Sequence, residues 1–255
     1  MMDLPKTPSF RLHGKRALVA GASSGIGFGS AAALAEAGAH VVMAARGEAR
    51  LKDAVTAVTG AGHAAEPLTL DVTDIEAIRG KLLPFGAFDI LVNSVGIARH
   101  SPALETDPTH YDQVMAANVK GAHFLAVEVA RGMVKTGKKG SIVTISSQMG
   151  HVGGIDRSVY AASKHAVEGM TKSMAIEWAP HGVRVNTICP TFIRTPLAEQ
   201  TLKDPERRRW IEGKIKLGRV GEIEDIMGAV VFLASEASSL ITGTSLLIDG
   251  GWTAG

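Results

Sequence analysis

Residues 17–27 read Ala17-Leu18-Val19-Ala20-Gly21-Ala22-Ser23-Ser24-Gly25-Ile26-Gly27. The apolar start predicts a strand buried on both faces. Glycines follow in the spacing G-x-x-x-G-x-G, and Ile26 to Ala37 carry a helical pattern. Glycine lets the backbone turn sharply and lets an anion approach without meeting a Cβ. The helix behind it offers unpaired N–H groups and the positive end of its dipole. Strand, glycine turn and helix in that order predict a cradle for a dinucleotide pyrophosphate. Its residues are Gly21, Ser23, Ser24, Gly25, Ile26 and Gly27. The competing reading is a tight strand-to-helix turn with no ligand.

Further strand-like runs lie on both sides of long polar or helical stretches: Val41–Ala45, Leu68–Leu70, Ile90–Val92, Ser141–Ile145, Val183–Cys189 and Ser245–Ile248. Pro108–Lys135 reads as one helical segment. The alternation predicts an α/β fold, a Rossmann-type doubly wound seven-stranded parallel sheet with helices on both faces. A chain of 255 residues suits one such domain over residues 1–255. The stretch from Pro190 to about Gly218 interrupts the alternation, carries Pro196 and Pro205, and reads as a substrate loop or lid.

Composition narrows the function. With 45% hydrophobic and 20% charged residues the chain reads as globular and soluble, and a net charge of +2 argues against nucleic acid as a partner. Arg207-Arg208-Arg209 reads as a solvated helix face. The one cysteine, Cys189, permits no intramolecular disulfide and fits a reducing, cytoplasmic setting. At the end of an apolar run it reads as a buried thiol. Met1–Arg11 has no apolar core of a signal peptide, and no run of ~18 apolar residues predicts a membrane span. The histidines show no H-E-x-x-H or paired spacing, so no metal site is expected.

The second strand ends at Ala45-Arg46, where a dinucleotide fold that selects NAD(H) carries an acid. A guanidinium there suits a 2′-phosphate, which favours NADP(H), with NAD(H) as the second option. Asp71 stands where it could accept from an adenine amino group or cap the next helix.

Tyr160-Ala161-Ala162-Ser163-Lys164 puts a tyrosine and a lysine one helical turn apart on one face. The stretch resembles the Y-x-x-x-K signature of the short-chain dehydrogenases/reductases. Ser147 precedes the tyrosine by thirteen residues, as in that family, and Asn118 lies in Ala117-Asn118-Val119. Asn93-Ser94-Val95-Gly96 resembles the family's N-N-A-G, and Cys189-Pro190-Thr191 its P-G motif. The likeness runs from about Lys15 to Trp252 and points to the short single-domain branch that includes 3-oxoacyl-carrier-protein reductases and sugar or gluconate dehydrogenases. Departures are Ala20 for threonine, Ser94 and Val95 for Asn-Ala, and Thr191 for glycine. None removes a reacting group.

The resemblance implies interconversion of a secondary alcohol and a ketone with a nicotinamide cofactor, in the direction of NADPH-linked reduction. Tyr160 would be the acid/base, since an ammonium nearby favours phenolate. Lys164 would tie it to the cofactor ribose, Ser147 (rather than its neighbour Ser146) would hold the substrate oxygen, and the Asn118 side chain would hold a water leading to Lys164. Val72, Asn93, Gly96, Pro190, Ile193 and Thr195 join the cofactor set. Gln148 and His151 join Ser147 and Tyr160 toward a small carbonyl or alcohol substrate. Arg99, Arg157 and Arg194 are candidates to meet an acidic one, and His165 with Glu168 reads as a surface pair. The family also implies a homotetramer or homodimer, with Phe124, Leu125, Val127, Val129 and Met133 covering more than one helix face. The rival from another class is a cofactor-binding regulator with this fold and little turnover.

Overall fold

The computed structural model describes residues 2–255. Its strands are β1 Arg16–Ala20, β2 His40–Ala45, β3 Ala65–Thr69, β4 Ile90–Asn93, β5 Gly140–Ile145, β6 Val183–Pro190 and β7 Ser245–Ile248. They form one parallel sheet in the order β3-β2-β1-β4-β5-β6-β7. Sequence order reverses between β1 and β4, and such a switch leaves a crevice beyond the carboxyl ends of the two strands.

The period of two along each strand divides the core. Ala17 and Val19 of β1 face one side, with Val41 and Met43 of β2, and there they meet α1 (Gly25–Glu36), α2 (Glu48–Gly60) and α9 (Glu224–Ala234). Leu18 and Ala20 face the other, with Val42 and Ala44, toward α3 (Ile75–Leu82), α5 (Ala122–Thr136) and α6 (Ser158–Trp178). Each buried aliphatic side chain contributes about 1.5–3 kcal/mol, so a sheet covered on both faces needs apolar strands at nearly every position.

Three elements differ from the sequence reading. β3 starts earlier and is more polar, because it is the sheet edge; Leu70 N–H still donates to the Ala45 carbonyl at 3.0 Å. The single helix expected over Pro108–Lys135 is α4 (Pro108–Met115), a π-helical turn at Ala116–Gly121, and α5. The insert after Pro190 is mostly helical: α7 (Pro196–Leu202) and α8 (Pro205–Lys214). Each opens on its proline, and Thr195 and Asp204 cap them by accepting from backbone N–H groups. No helix among the described residues is long and apolar enough to cross a membrane.

Candidate active site

A cleft of about 380 Å³ opens where β1 and β4 diverge. It runs from the glycine turn, past Arg46, to Tyr160 and the first residues of α7. One continuous trough of this kind suits a long, anionic ligand.

The glycine turn is shaped by contacts that only glycine permits. Gly21 has φ +80°, and a Cβ there would lie 2.8 Å from the Ser94 carbonyl oxygen. A Cβ on Gly27 would strike the carbonyl of Gly21, so Gly27 lies under the turn and lets α1 start close to it. Ser24 caps α1 with extended backbone, its side chain makes no capping bond, and the first turn holds no acid. The helix therefore presents its N–H groups to the cleft, and the cradle fits a pyrophosphate.

At the end of β2, Arg46 is mostly exposed and 4.0 Å from the Asp71 carboxylate. Burial would raise the Asp71 pKa, but the N–H and hydroxyl of Thr73, with Arg46 and Lys81, hold it below the usual carboxylate range. Asp71 thus forms a turn with Thr73, beside the cleft wall rather than in it, and Asp74 is the cap of α3. Val72 is buried against Gly121, where a Cβ would meet the Val72 carbonyl at 2.7 Å. Arg50 lines the cleft from the first turn of α2 and was not among the expected residues.

At the end of β4, Asn93 is fully buried and its Oδ1 accepts from Val95 N–H. Asn118 Oδ1 accepts from Ile97 N–H at 2.8 Å, while its Nδ2 donates to the Ile97 carbonyl and to Ser163 Oγ. Both amide protons are engaged. The side chain therefore clamps the loop of Gly96 to α6. The π-helical turn around it swings it into this position, a distortion common at functional sites.

Tyr160 and Lys164 line the cleft from the first turns of α6, with Lys164 Nζ 5.6 Å from the ring centre. Ser147 Oγ accepts from Met149 N–H at 3.1 Å, which leaves its own proton to donate elsewhere. Ser146 also touches the cleft but its Oγ faces the Gly150 side, where a Cβ would lie 3.2 Å from it. Gln148 lines the same end, 1% exposed, with neither amide atom hydrogen-bonded. Pro190, Ile193 and Thr195 form the opposite wall, joined by Thr191, whose buried hydroxyl has no partner, and by Phe192. Phe192 stacks on Trp252 of the C-terminal turn, so the tail braces this wall.

His151 is not on the cleft. Its Nε2 lies 3.9 Å from Glu168. Glu168 is buried, so the surface pair with His165 does not form; His165 bonds the Ala161 carbonyl instead. Glu168 accepts from Thr187 Oγ1 at 3.0 Å, from Ser245 Oγ and from the Cys189 thiol at 3.3 Å, locking α6 to β6 and β7. Burial, reinforced by this carboxylate, pushes the thiol up to about 12 despite the Thr187 hydroxyl. Cys189 is a buried neutral thiol.

Of the three arginines considered for an acidic ligand, Arg194 pairs with Glu222 at 2.9 Å and Arg99 leans on Gln113. Arg157 alone lines the cleft, with His100. The Arg207–Arg209 run lies on α8, where Arg207 and Arg208 pair with neighbouring acids.

A family model described as enoyl-(acyl carrier protein) reductase matches residues 21–253. The chain is 39% identical over 250 residues to 2-dehydro-3-deoxy-D-gluconate 5-dehydrogenase of Dickeya dadantii, covering 96% of this chain and 98% of that one. It is 38% identical over 244 residues to L-xylulose reductase of Bos taurus, with coverage of 96% and 98%. The crystal structure of a gluconate 5-dehydrogenase from Burkholderia cenocepacia J2315, in complex with NADP and tartrate, superposes with a TM-score of 0.93 at 35% identity, covering 96% of this chain and 98% of that one.

Proposed function

The chain belongs to the short-chain dehydrogenase/reductase family, NAD(P)-dependent oxidoreductases acting on CH–OH groups, and from that premise we propose that it reduces the ketone of a polyhydroxylated substrate with NADPH, using Tyr160 as acid. One observation carries this reading: Tyr160, Lys164 and Ser147 share a cleft with the glycine cradle and with Arg46.

The cofactor supplies the hydride when bound. Gly21 to Ile26 hold its pyrophosphate, and Arg46 with Arg50 takes the 2′-phosphate. Pro190, Ile193 and Thr195 with Gly96 frame the nicotinamide end. Tyr160 delivers a proton to the substrate oxygen and holds the resulting negative charge, which the Lys164 ammonium stabilises. Ser147 Oγ, free to donate, stabilises charge growing on that oxygen. Asn118 acts through position, holding the Gly96 loop against α6. Gln148 presents an unsatisfied amide to the substrate hydroxyls, since a buried amide without a partner costs about 1–3 kcal/mol until a ligand supplies one.

The gluconate and xylulose enzymes among its relatives act on polyhydroxylated chains by name, and Ser147, Gln148, Thr191 and Arg157 on this cleft offer partners to such a chain. The insert over α7 and α8 serves as the lid. A panel of keto-sugars and keto-acids, followed by NADPH absorbance with NADH as control, tests the reading. Absence of any NADPH-linked turnover, or a preference for NADH, counts against it. Association into dimers or tetramers is part of this proposal, supported by the solvent-facing Phe124 on α5 and Ile176 on α6, and light scattering measures it.

A further inference from the structure

We propose that Arg157 and His100 form a subsite for the carboxylate of a hydroxy-acid substrate, beside Tyr160. The inference rests on the oxidoreductase reading of the cleft and narrows its substrate class.

The cleft wall contains Arg46, Arg50, Arg157 and Lys164 and, among the described residues, no Asp or Glu. Arg46 and Arg50 stand at the glycine-turn end. Arg157 stands at the other, half-buried, and its partners carry no negative charge. One is His100, whose Nε2 lies 2.6 Å from a guanidinium nitrogen. The other is the Phe192 ring, 5.2 Å from the guanidinium carbon. Burial works against the charge of Arg157 and depresses its pKa.

The nearest acid in sequence is held away. Asp156 is the one non-glycine residue with positive φ among the described residues, at 60°. Its carboxylate lies 3.8 Å from Arg207 on α8. Left-handed backbone is uncommon outside glycine, though aspartate tolerates it better than most residues. The carboxylate thus turns to Arg207 and makes no hydrogen bond to Arg157, on which its charge acts only from a distance.

His100 shapes the remaining donors. Its pKa is pushed to about 4 by partial burial and then by the charges of Arg157 and Arg207, against a smaller opposing effect of Asp156. The ring keeps an open face, so water screens part of that repulsion. Neutral at pH 7, it accepts from one arm of the guanidinium and edges on the Tyr160 ring, 6.1 Å between centres. The free edge of the guanidinium matches a planar carboxylate through paired hydrogen bonds. The unpartnered Gln148 amide on the same cleft points independently to a polar ligand. A single guanidinium beside a neutral imidazole balances one negative charge, which favours a carboxylate over a phosphate dianion.

The test uses enzyme loaded with NADPH, because an alcohol and the reduced cofactor cannot react. D-gluconate, D-glucitol and D-glucitol 6-phosphate are titrated calorimetrically. Wild type is expected to bind gluconate about ten-fold or more tightly than glucitol, the worth of one charge-assisted hydrogen-bonded pair. Arg157→Gln is expected to abolish that preference while keeping NADPH affinity, and Arg157→Lys to restore part of it. Equal wild-type affinity for gluconate and glucitol overturns the subsite, as does preference for the phosphate ester. So does gluconate binding that Arg157→Gln leaves unchanged, or that it loses only together with NADPH. The wild-type comparison needs no variant to fold. Turnover of the neutral ketone 2,3-butanedione with NADPH checks the oxidoreductase reading separately: turnover without acid preference removes the subsite alone.

Discussion

Lys164 Nζ donates to the Ile145 carbonyl at 3.0 Å while standing 5.6 Å from the centre of the Tyr160 ring. The contact ties α6 to the end of β5, next to Ser146-Ser147. The lysine is 4% exposed, so its charge acts with little water between it and the tyrosine. Lys164 thereby fixes the first turns of α6 against the strand end that leads into Ser147.

Replacing Tyr160 with phenylalanine removes the transferable proton and keeps the ring. Turnover is expected to fall by about 10²–10⁴ with NADPH affinity unchanged. Steady-state rates with fluorescence titration of NADPH measure both, and retained activity would sink the proposed acid.

Arg46→Asp removes a phosphate partner and adds a repelling charge at the end of β2. The ratio of kcat/KM for NADPH over NADH is expected to fall by about ten-fold or more. An unmoved ratio assigns the 2′-phosphate to other residues.

Gly21→Ala places a Cβ 2.8 Å from the Ser94 carbonyl at φ +80°. The variant is expected to lose about 1–3 kcal/mol of stability and to bind NADPH more weakly. Chemical denaturation and cofactor titration report the two losses, and a variant as stable as wild type contradicts the packing described.

The Cys189 thiol, pushed up to about 12 by burial, is neutral at pH 8. Thiolate is the reactive form, so a thiol reagent should label the native protein far more slowly than the denatured one. Equal rates would place the thiol at the surface.

Asp225 is held at about 2, chiefly by the Arg219 guanidinium and also by the Glu222 N–H, against a small effect of burial. A depressed folded pKa stabilises above the ordinary carboxylate range and stops doing so as pH falls through the folded value. The pair is largely exposed, so Asp225→Asn should lower Tm at pH 7 by no more than about 2–4 °C. The difference from wild type should shrink between pH ~4 and ~2. A calorimetric difference constant with pH would remove the ion pair as its cause.

Local rules carried much of this protein. The central strands are apolar throughout because both faces are covered, so their sequence signal was strong. The edge strand β3 contains Glu66 and Pro67, and its start could not be read from an apolar run. Thr195-Pro196 and Asp204-Pro205 are ordinary helix starts, and reading them as such would have turned the insert into two helices.

Local spacing put Gly21–Gly27 in a strand-to-helix turn, Arg46 at a strand end and Tyr160 one helical turn from Lys164, because a turn of helix or a strand end fixes what lies next to it; Ser147 was singled out by the family resemblance alone. The tertiary structure decided what depends on distant partners. Asn118 became a clamp only because Ile97 and Ser163 reach it. Glu168 turned inward because β6 and β7 bring Thr187, Cys189 and Ser245 to its carboxylate. Arg157, Arg99 and Arg194 were equivalent as letters. What separates them is which has an acceptor within reach, and that is a property of the folded chain: packing leaves Arg157 facing the cleft without an acid, and gives the others to Gln113 and Glu222.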